Sequence, residues 1–224
     1  MLQYVGERLA EESRTTERSK EKRRNVVVGI SGASGVIYGI RTVKTLNNLG
    51  YDQEIIISNG AIKVAEKECG LDLVSTISKF VDGKIYREEE IDAPPSSSSH
   101  VVKSLGMVVV PCSIKTLAEI SNGLSSNLIS RTALNFLRIK GKLVLVLRET
   151  PLGAVELRNA LRVTNAGAIV LPASPGFYHN PKTFDDLVNF IVGKILDMLG
   201  IENNLYKHWD TSSKTDQRPC DQVS

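Results

Sequence analysis

From Asn25 onward, short apolar runs alternate with longer amphipathic stretches, and the two periods separate cleanly. Val26–Ile30, Glu54–Ile57, Met107–Pro111, Leu143–Leu147 and Ala168–Leu171 are brief runs rich in Val, Ile and Leu, the pattern of strands buried on both faces. Between them, apolar residues recur at helical spacing. This predicts helices over Val36–Leu49, after Ser58-Asn59-Gly60 through about Cys69, and over Thr116–Ser121, Leu128–Ile139, Gly153–Ala166 and Phe184–Leu199. Gly50, Gly70, Gly167 and Gly200 stand just beyond four of these, where a left-handed residue ends a helix. Leu71–Tyr86 reads as a helix and a short strand. Asp92–Pro95, the four serines Ser96–Ser99 and His100 read as a loop without an element.

Strands separated by helices in this rhythm predict an α/β domain: a three-layer, Rossmann-like (flavodoxin-like) parallel sheet with helices on both faces. Ligands in such sheets bind beyond the carboxyl ends of the strands. That rule brings the loops Ser31–Gly35, Ser58–Gly60, Pro111–Ser113 and Arg148–Thr150 to one rim, with the proline-rich Pro172–Pro181 loop beside them.

Composition refines this only at the ends. Of 224 residues, 42% are hydrophobic and 24% charged, ordinary for one globular domain. Residues 1–24 hold seven Lys/Arg and five Asp/Glu and read as a charged extension; 25–209 is the α/β domain and 210–224 a polar tail. A net charge of +3 argues against a nucleic-acid partner, and no apolar run approaches the ~20 residues of a membrane span. The charged start does not read as a secretory signal, and Cys69, Cys112 and Cys220 are scattered and odd in number, so a cytoplasmic, reducing environment is expected. His100, His179 and His208 have no zinc-type spacing with the cysteines, so no metal is expected.

The candidate chemistry begins at Gly29-Ile30-Ser31-Gly32-Ala33-Ser34-Gly35, a glycine-serine turn between a strand and a helix. The first N–H groups of a helix lack carbonyl partners and, with the helix dipole, favour an anion. The spacing is neither G-x-G-x-x-G nor a P-loop, so the turn alone also fits a ligand-free tight turn. Ser58 reads equally well as a simple helix cap. Arg148 and Glu149 follow a buried strand, and strand alternation would send one to the crevice and the other away from it; a plain loop ion pair or a cap made with Thr150 is the bland reading. Arg131, Arg138 and Arg148 accumulate without a matching acid run, and the guanidinium fork suits phosphate. Two phosphate positions follow, one for a nucleotide and one for a second substrate, with Glu149 as the proton carrier. No histidine–serine pair reads as a hydrolase triad.

Gly32-Ala33-Ser34-Gly35, Pro111-Cys112-Ser113, Asn127-Leu128-Ile129-Ser130-Arg131, Arg148-Glu149-Thr150-Pro151-Leu152 and Pro175-Gly176-Phe177-Tyr178 resemble, in order and spacing, the UbiX-type flavin prenyltransferases, from about Asn25 to Trp209. The family has also been described as aromatic-acid or polyprenyl-hydroxybenzoate decarboxylases. The resemblance implies an enzyme that joins a dimethylallyl group from dimethylallyl phosphate to reduced FMN, and so makes the prenylated FMN used by a UbiD-type decarboxylase. It implies a homo-oligomer with FMN at subunit interfaces, trimers assembled into a dodecamer. Carried onto this chain, Gly32, Ala33, Ser34 and Ser58 hold FMN, Ser113 and Thr116 lie near the isoalloxazine, and Arg131 contacts FMN across an interface. Glu149 is the acid/base, with Ser34 also at the catalytic centre. Arg148, Tyr178, Arg138 and Lys194 grip the donor phosphate, Glu68 enters from a neighbouring subunit, and Trp209 walls the prenyl pocket. Two departures stand out: the family usually has lysine at position 138 and arginine at position 194. Ser96–Ser99 stand where it often shows Ser-Gly-Ser. Alternatives are an FMN carrier or accessory subunit of an aromatic-acid decarboxylase, a direct aromatic-acid decarboxylase, and an oxidative decarboxylase of peptidyl or pantothenoyl cysteine; the last lacks its Pro-x-Met-Asn motif and early histidine here. Full activity after chelation is expected, since phosphate departure is served by cationic side chains.

Overall fold

The computed structural model describes residues 25–81 and 84–209, so the expected extension 1–24 and the tail 210–224 lie outside the described residues. Six strands form one parallel sheet: β1 (Asn25–Ile30), β2 (Asp52–Ile57), β3 (Lys84–Arg87), β4 (Gly106–Cys112), β5 (Leu143–Leu147) and β6 (Ile169–Pro172). Their order is β3-β2-β1-β4-β5-β6, with every pair parallel. This is the doubly wound arrangement, in which the strand order reverses at the β1/β4 boundary and leaves a crevice there.

Eight helices join the described strands: α1 (Val36–Asn48), α2 (Asn59–Cys69), α3 (Leu73–Ser78), α4 (Ser98–Val101), α5 (Ile114–Ser121), α6 (Leu128–Arg138), α7 (Ala154–Asn165) and α8 (Phe184–Leu199). Successive strand side chains point to opposite faces, so each strand feeds two cores. Val26, Val28, Ile30, Ile55, Ile57, Val108, Val110, Val144 and Val146 pack under α1, α2, α3 and α8. Val27, Ile56, Met107, Val109, Leu143, Leu145 and Leu147 pack under α5, α6 and α7, with Leu117, Ile129, Phe136 and Val163 as the facing side chains. Three layers with helices on both faces are thus present as expected. Among the described residues, no helix is long and apolar enough to cross a membrane.

The helix boundaries follow local chemistry. Ser58 Oγ accepts Ala61 N at 3.0 Å, Ser113 Oγ accepts Thr116 N at 3.2 Å, and Asn127 Oδ1 accepts Ser130 N at 3.0 Å, which caps α2, α5 and α6. Gly70 and Gly200 take left-handed conformations behind α2 and α8. One expectation is corrected. The 92–100 segment is not a featureless loop: Pro94–Ser96 forms a 3-10 turn that leads into α4. Proline at the first helical positions presets that turn, and Pro95 O and Ser96 O are taken by side chains of α6.

Candidate active site

At the β1/β4 reversal, Ser31 ties the two strand ends together. Its hydroxyl donates to Pro111 O at 2.9 Å and accepts from Ser113 N at 2.8 Å, and the residue is 1% exposed. The next residue, Gly32, lies against a second backbone. A Cβ there would stand 2.8 Å from the Cα of Gly60 and 2.9 Å from its carbonyl carbon, so only glycine permits the approach. Gly35 then adopts φ 91°, ψ 33°, a left-handed conformation, as the residue before α1.

These turns surround a cavity of about 310 Å³. Gly32, Ala33, Ser34, Ser58, Ser113, Thr116, Arg148 and Glu149 all line it, so eight of the residues singled out in the sequence meet in one place. Both Arg148 and Glu149 face the cavity, which corrects the expectation that alternation would part them. They lie beyond Leu147, the last residue of β5, where the pleat no longer dictates direction. Glu149 Oε1 accepts Thr150 N at 2.9 Å. Arg148 also acts on Tyr38, whose hydroxyl is pushed up by burial and drawn partly back by that guanidinium. The caps of α2, α5 and α6 (Ser58, Ser113 and Asn127) line this cavity, where Arg148 and Lys115 stand beside the carboxylates of Glu88 and Glu149.

Within its own chain, Glu68 lies at the turn that precedes α1. Its carboxylate accepts Gly35 N at 2.9 and 3.2 Å and Val36 N at 3.4 Å, across 33 residues of sequence. A carboxylate on a helix N-terminus is the arrangement the dipole favours.

Tyr178, Lys194 and Trp209 form a second cluster that does not line the cavity. The Tyr178 and Trp209 rings meet edge to face at 5.3 Å, and Tyr178 meets Phe190 at 5.7 Å. Lys194 Nζ stands 4.9 Å over the Tyr206 ring and 5.6 Å over Phe190. Its ammonium is held above its ordinary range chiefly by the Tyr206 hydroxyl, with Tyr178 and Asp197 adding to the effect. The loop bearing Tyr178 leaves β6 at Pro172, paired with Leu147 of β5, so it emerges on the rim beside Arg148 as expected.

Arg131 and Arg138 stand elsewhere. Asn127, the α6 cap, lines the cavity, but Arg138 ends that helix eleven residues later, about 16 Å along its axis at 1.5 Å per residue. Arg131 is exposed and directs Nε to Ser96 O at 3.4 Å. Neither lines the cavity of its own chain. Sequence reasoning placed Gly60 on the rim but missed Glu88, Ile114, Lys115 and Asn127 as lining residues. Glu88 accepts Asn59 N at 2.7 Å and joins the site only through the β2–β3 pairing, for which local spacing holds no signal. Among the described residues, no three His, Cys, Asp or Glu side chains gather as a metal site.

Comparison with known proteins places this geometry. The Flavoprotein family model matches residues 13–196. The flavin prenyltransferase UbiX of Saccharolobus solfataricus is 57% identical over 194 residues, covering 87% of this chain and 96% of that protein. The crystal structure of AnUbiX (PadA1) in complex with FMN and dimethylallyl pyrophosphate superposes with a TM-score of 0.81 at 37% identity, over 85% of this chain and all (100%) of the other. A dodecameric FMN-dependent Ubix-like decarboxylase from Escherichia coli O157:H7 superposes with a TM-score of 0.78 at 32% identity, over 83% and 99% of the two chains.

Proposed function

The chain belongs to the UbiX flavin prenyltransferase family, and from that premise we propose that it prenylates reduced FMN with dimethylallyl phosphate at the cavity between β1 and β4. The observation that carries this reading is the convergence of the N-terminal caps of α2, α5 and α6 with Arg148 and Glu149 on one cavity. The donor set fits a flavin mononucleotide. Gly32 and Gly60 pack backbone to backbone in the cavity wall, and the hydroxyls of Ser34, Ser58, Ser113 and Thr116 supply rotatable donors. At about 310 Å³ the cavity of one chain is at the low end for a cofactor site, which supports completion by a second copy.

Reduced FMN, when bound, supplies the nucleophilic centre that takes up the allyl carbon as the allylic C–O bond breaks and its electron pair leaves with phosphate. The residues of this chain serve that departure. Arg148 neutralises the leaving phosphate, and Glu149 delivers the proton that phosphate needs and takes one back from the acceptor. Ser34, at the start of α1, adds a hydroxyl to the same centre. Tyr178 and Lys194 extend the cationic and hydroxyl surface, with Trp209 and the adjoining rings as a wall that keeps water from the allyl cation. Arg131 and Arg138, turned away from their own cavity, serve the site of a neighbouring subunit, in keeping with the dodecameric E. coli relative. The product is consumed by a UbiD-type decarboxylase.

The test is incubation with reduced FMN and dimethylallyl phosphate, then mass spectrometry of the extracted flavin. A gain of one dimethylallyl unit is expected, and Glu149→Gln should keep its flavin and lose the gain. A variant with unimpaired prenylation removes Glu149 from the chemistry. Flavin binding without any mass gain in the parent protein leaves the carrier reading.

A further inference from the structure

Along α6, Arg131, Asn135 and Arg138 are spaced four and three residues apart and so form one ridge of the helix. Asn135, 4% exposed, joins its two ends. Its Nδ2 donates to Ser96 O at 2.8 Å, and its Oδ1 accepts from Arg138 Nη1 at 2.6 Å. Ser96 O also accepts from Arg131 Nε at 3.4 Å, and Thr132 Oγ1 fixes the same turn through Pro95 O at 3.1 Å. The amide orientation is chemically determined: a carbonyl requires the NH₂ side, and a guanidinium, which only donates, requires the oxygen. Each half of a buried side chain is thus matched to the group that can use it, and both cations of the ridge refer back to one carbonyl.

We propose that Asn135 is a positioning residue for prenyl transfer: it fixes the Arg138 guanidinium in the orientation that meets the donor phosphate of a neighbouring site. The inference rests on the assignment of Arg138 to that phosphate made above. It also accounts for a departure of this chain, which has arginine where the family usually has lysine. A lysine ammonium is a point charge that adapts to phosphate from many directions, whereas the planar guanidinium fork binds well only when its plane is set. With one N–H held by Asn135 Oδ1, the plane is set and the remaining donors are free to face outward. The Pro94–Ser96 turn is then the fixed base of a phosphate grip rather than a surface loop.

Steady-state prenylation with dimethylallyl phosphate, read beside FMN affinity and the unfolding midpoint, tests this in a double-mutant cycle. Asn135→Leu keeps approximate volume and removes both bonds. It should raise KM for the donor about tenfold, the value of one charge-assisted hydrogen bond, while kcat at saturating donor and FMN affinity stay near those of the parent. Arg138→Ala should raise the donor KM by at least as much, and Asn135→Leu should add nothing in that background, because it acts through Arg138. If Asn135→Leu fails to fold, Asn135→Ser, shorter and still polar, is read by the same cycle. A raised KM in Arg138→Ala with an unchanged KM in the Asn135 variants overturns the inference and leaves the function standing. An unchanged donor KM in Arg138→Ala removes the assignment of Arg138 and the inference with it. Equal losses of kcat, FMN affinity and stability in the Asn135 variants show a merely structural residue and also overturn it.

Discussion

Replacing Ser31 with alanine removes one oxygen atom from the point where β1 and β4 part to form the cavity. That oxygen makes two bonds, to Pro111 O at 2.9 Å and from Ser113 N at 2.8 Å, in a residue that is 1% exposed. Pro111 O keeps a donor after the change, because Ser31 N reaches it at 3.3 Å. Ser113 N loses its acceptor and, being only half-buried, recovers part of the loss from water. The expected cost is therefore about 1–2 kcal/mol, below the ~3 kcal/mol of a fully orphaned buried group. For a domain of this size that is a fall of about 2–8 °C in Tm. Because Ser113 caps α5 and lines the cavity, FMN affinity should fall together with stability. Thermal unfolding and FMN fluorescence titration should be run at one protein concentration, since an oligomer's Tm depends on it. A Tm within about 1 °C of the parent would refute the clamp, the expected loss being at least twice that. A lost FMN affinity at unchanged Tm would make Ser31 a ligand contact instead.

Two further outcomes follow from the geometry. Gly35→Ala forces φ 91° on an L-residue and brings its Cβ to 3.0 Å from the Tyr38 ring, so a loss of about 1–2 kcal/mol in urea unfolding and weaker FMN binding are expected; parental values in both would show that the left-handed turn is dispensable. Burial pushes the Cys112 thiol up to about 12, while Cys69 is exposed and raised by partial burial and by Glu68. A raised thiol pKa means less thiolate below it, so at about pH 8 iodoacetamide should label Cys69 before Cys112 in the native protein, and Cys112 only after denaturation. Peptide mapping that finds Cys112 modified as fast as Cys69 would show the β4 end to be open.

Much of the fold was legible in the sequence because its causes are local. Val26, Val28 and Ile30 on one face and Val27 on the other are the period-2 signature of a strand buried on both sides. Ser58 caps α2 through the N–H three residues on, and Gly70 and Gly200 end helices through their own φ. The rim residues Gly32, Ser34, Ser58, Ser113, Arg148 and Glu149 were also within reach, because a parallel sheet sends every strand's carboxyl end to one side. The contacts that complete the site were not. Glu68 meets Gly35 across 33 residues, Ser31 meets Ser113 across 82, and Ser96 meets Asn135 across 39. Neither spacing nor propensity records such pairs. Strand order, and the way α2 and the Pro94–Ser96 turn are packed onto their neighbours, bring them together, so they exist only once the chain has closed around its two cores. Local periodicity therefore determined the layers and the rim of this protein, while tertiary packing decided which polar groups satisfy one another there.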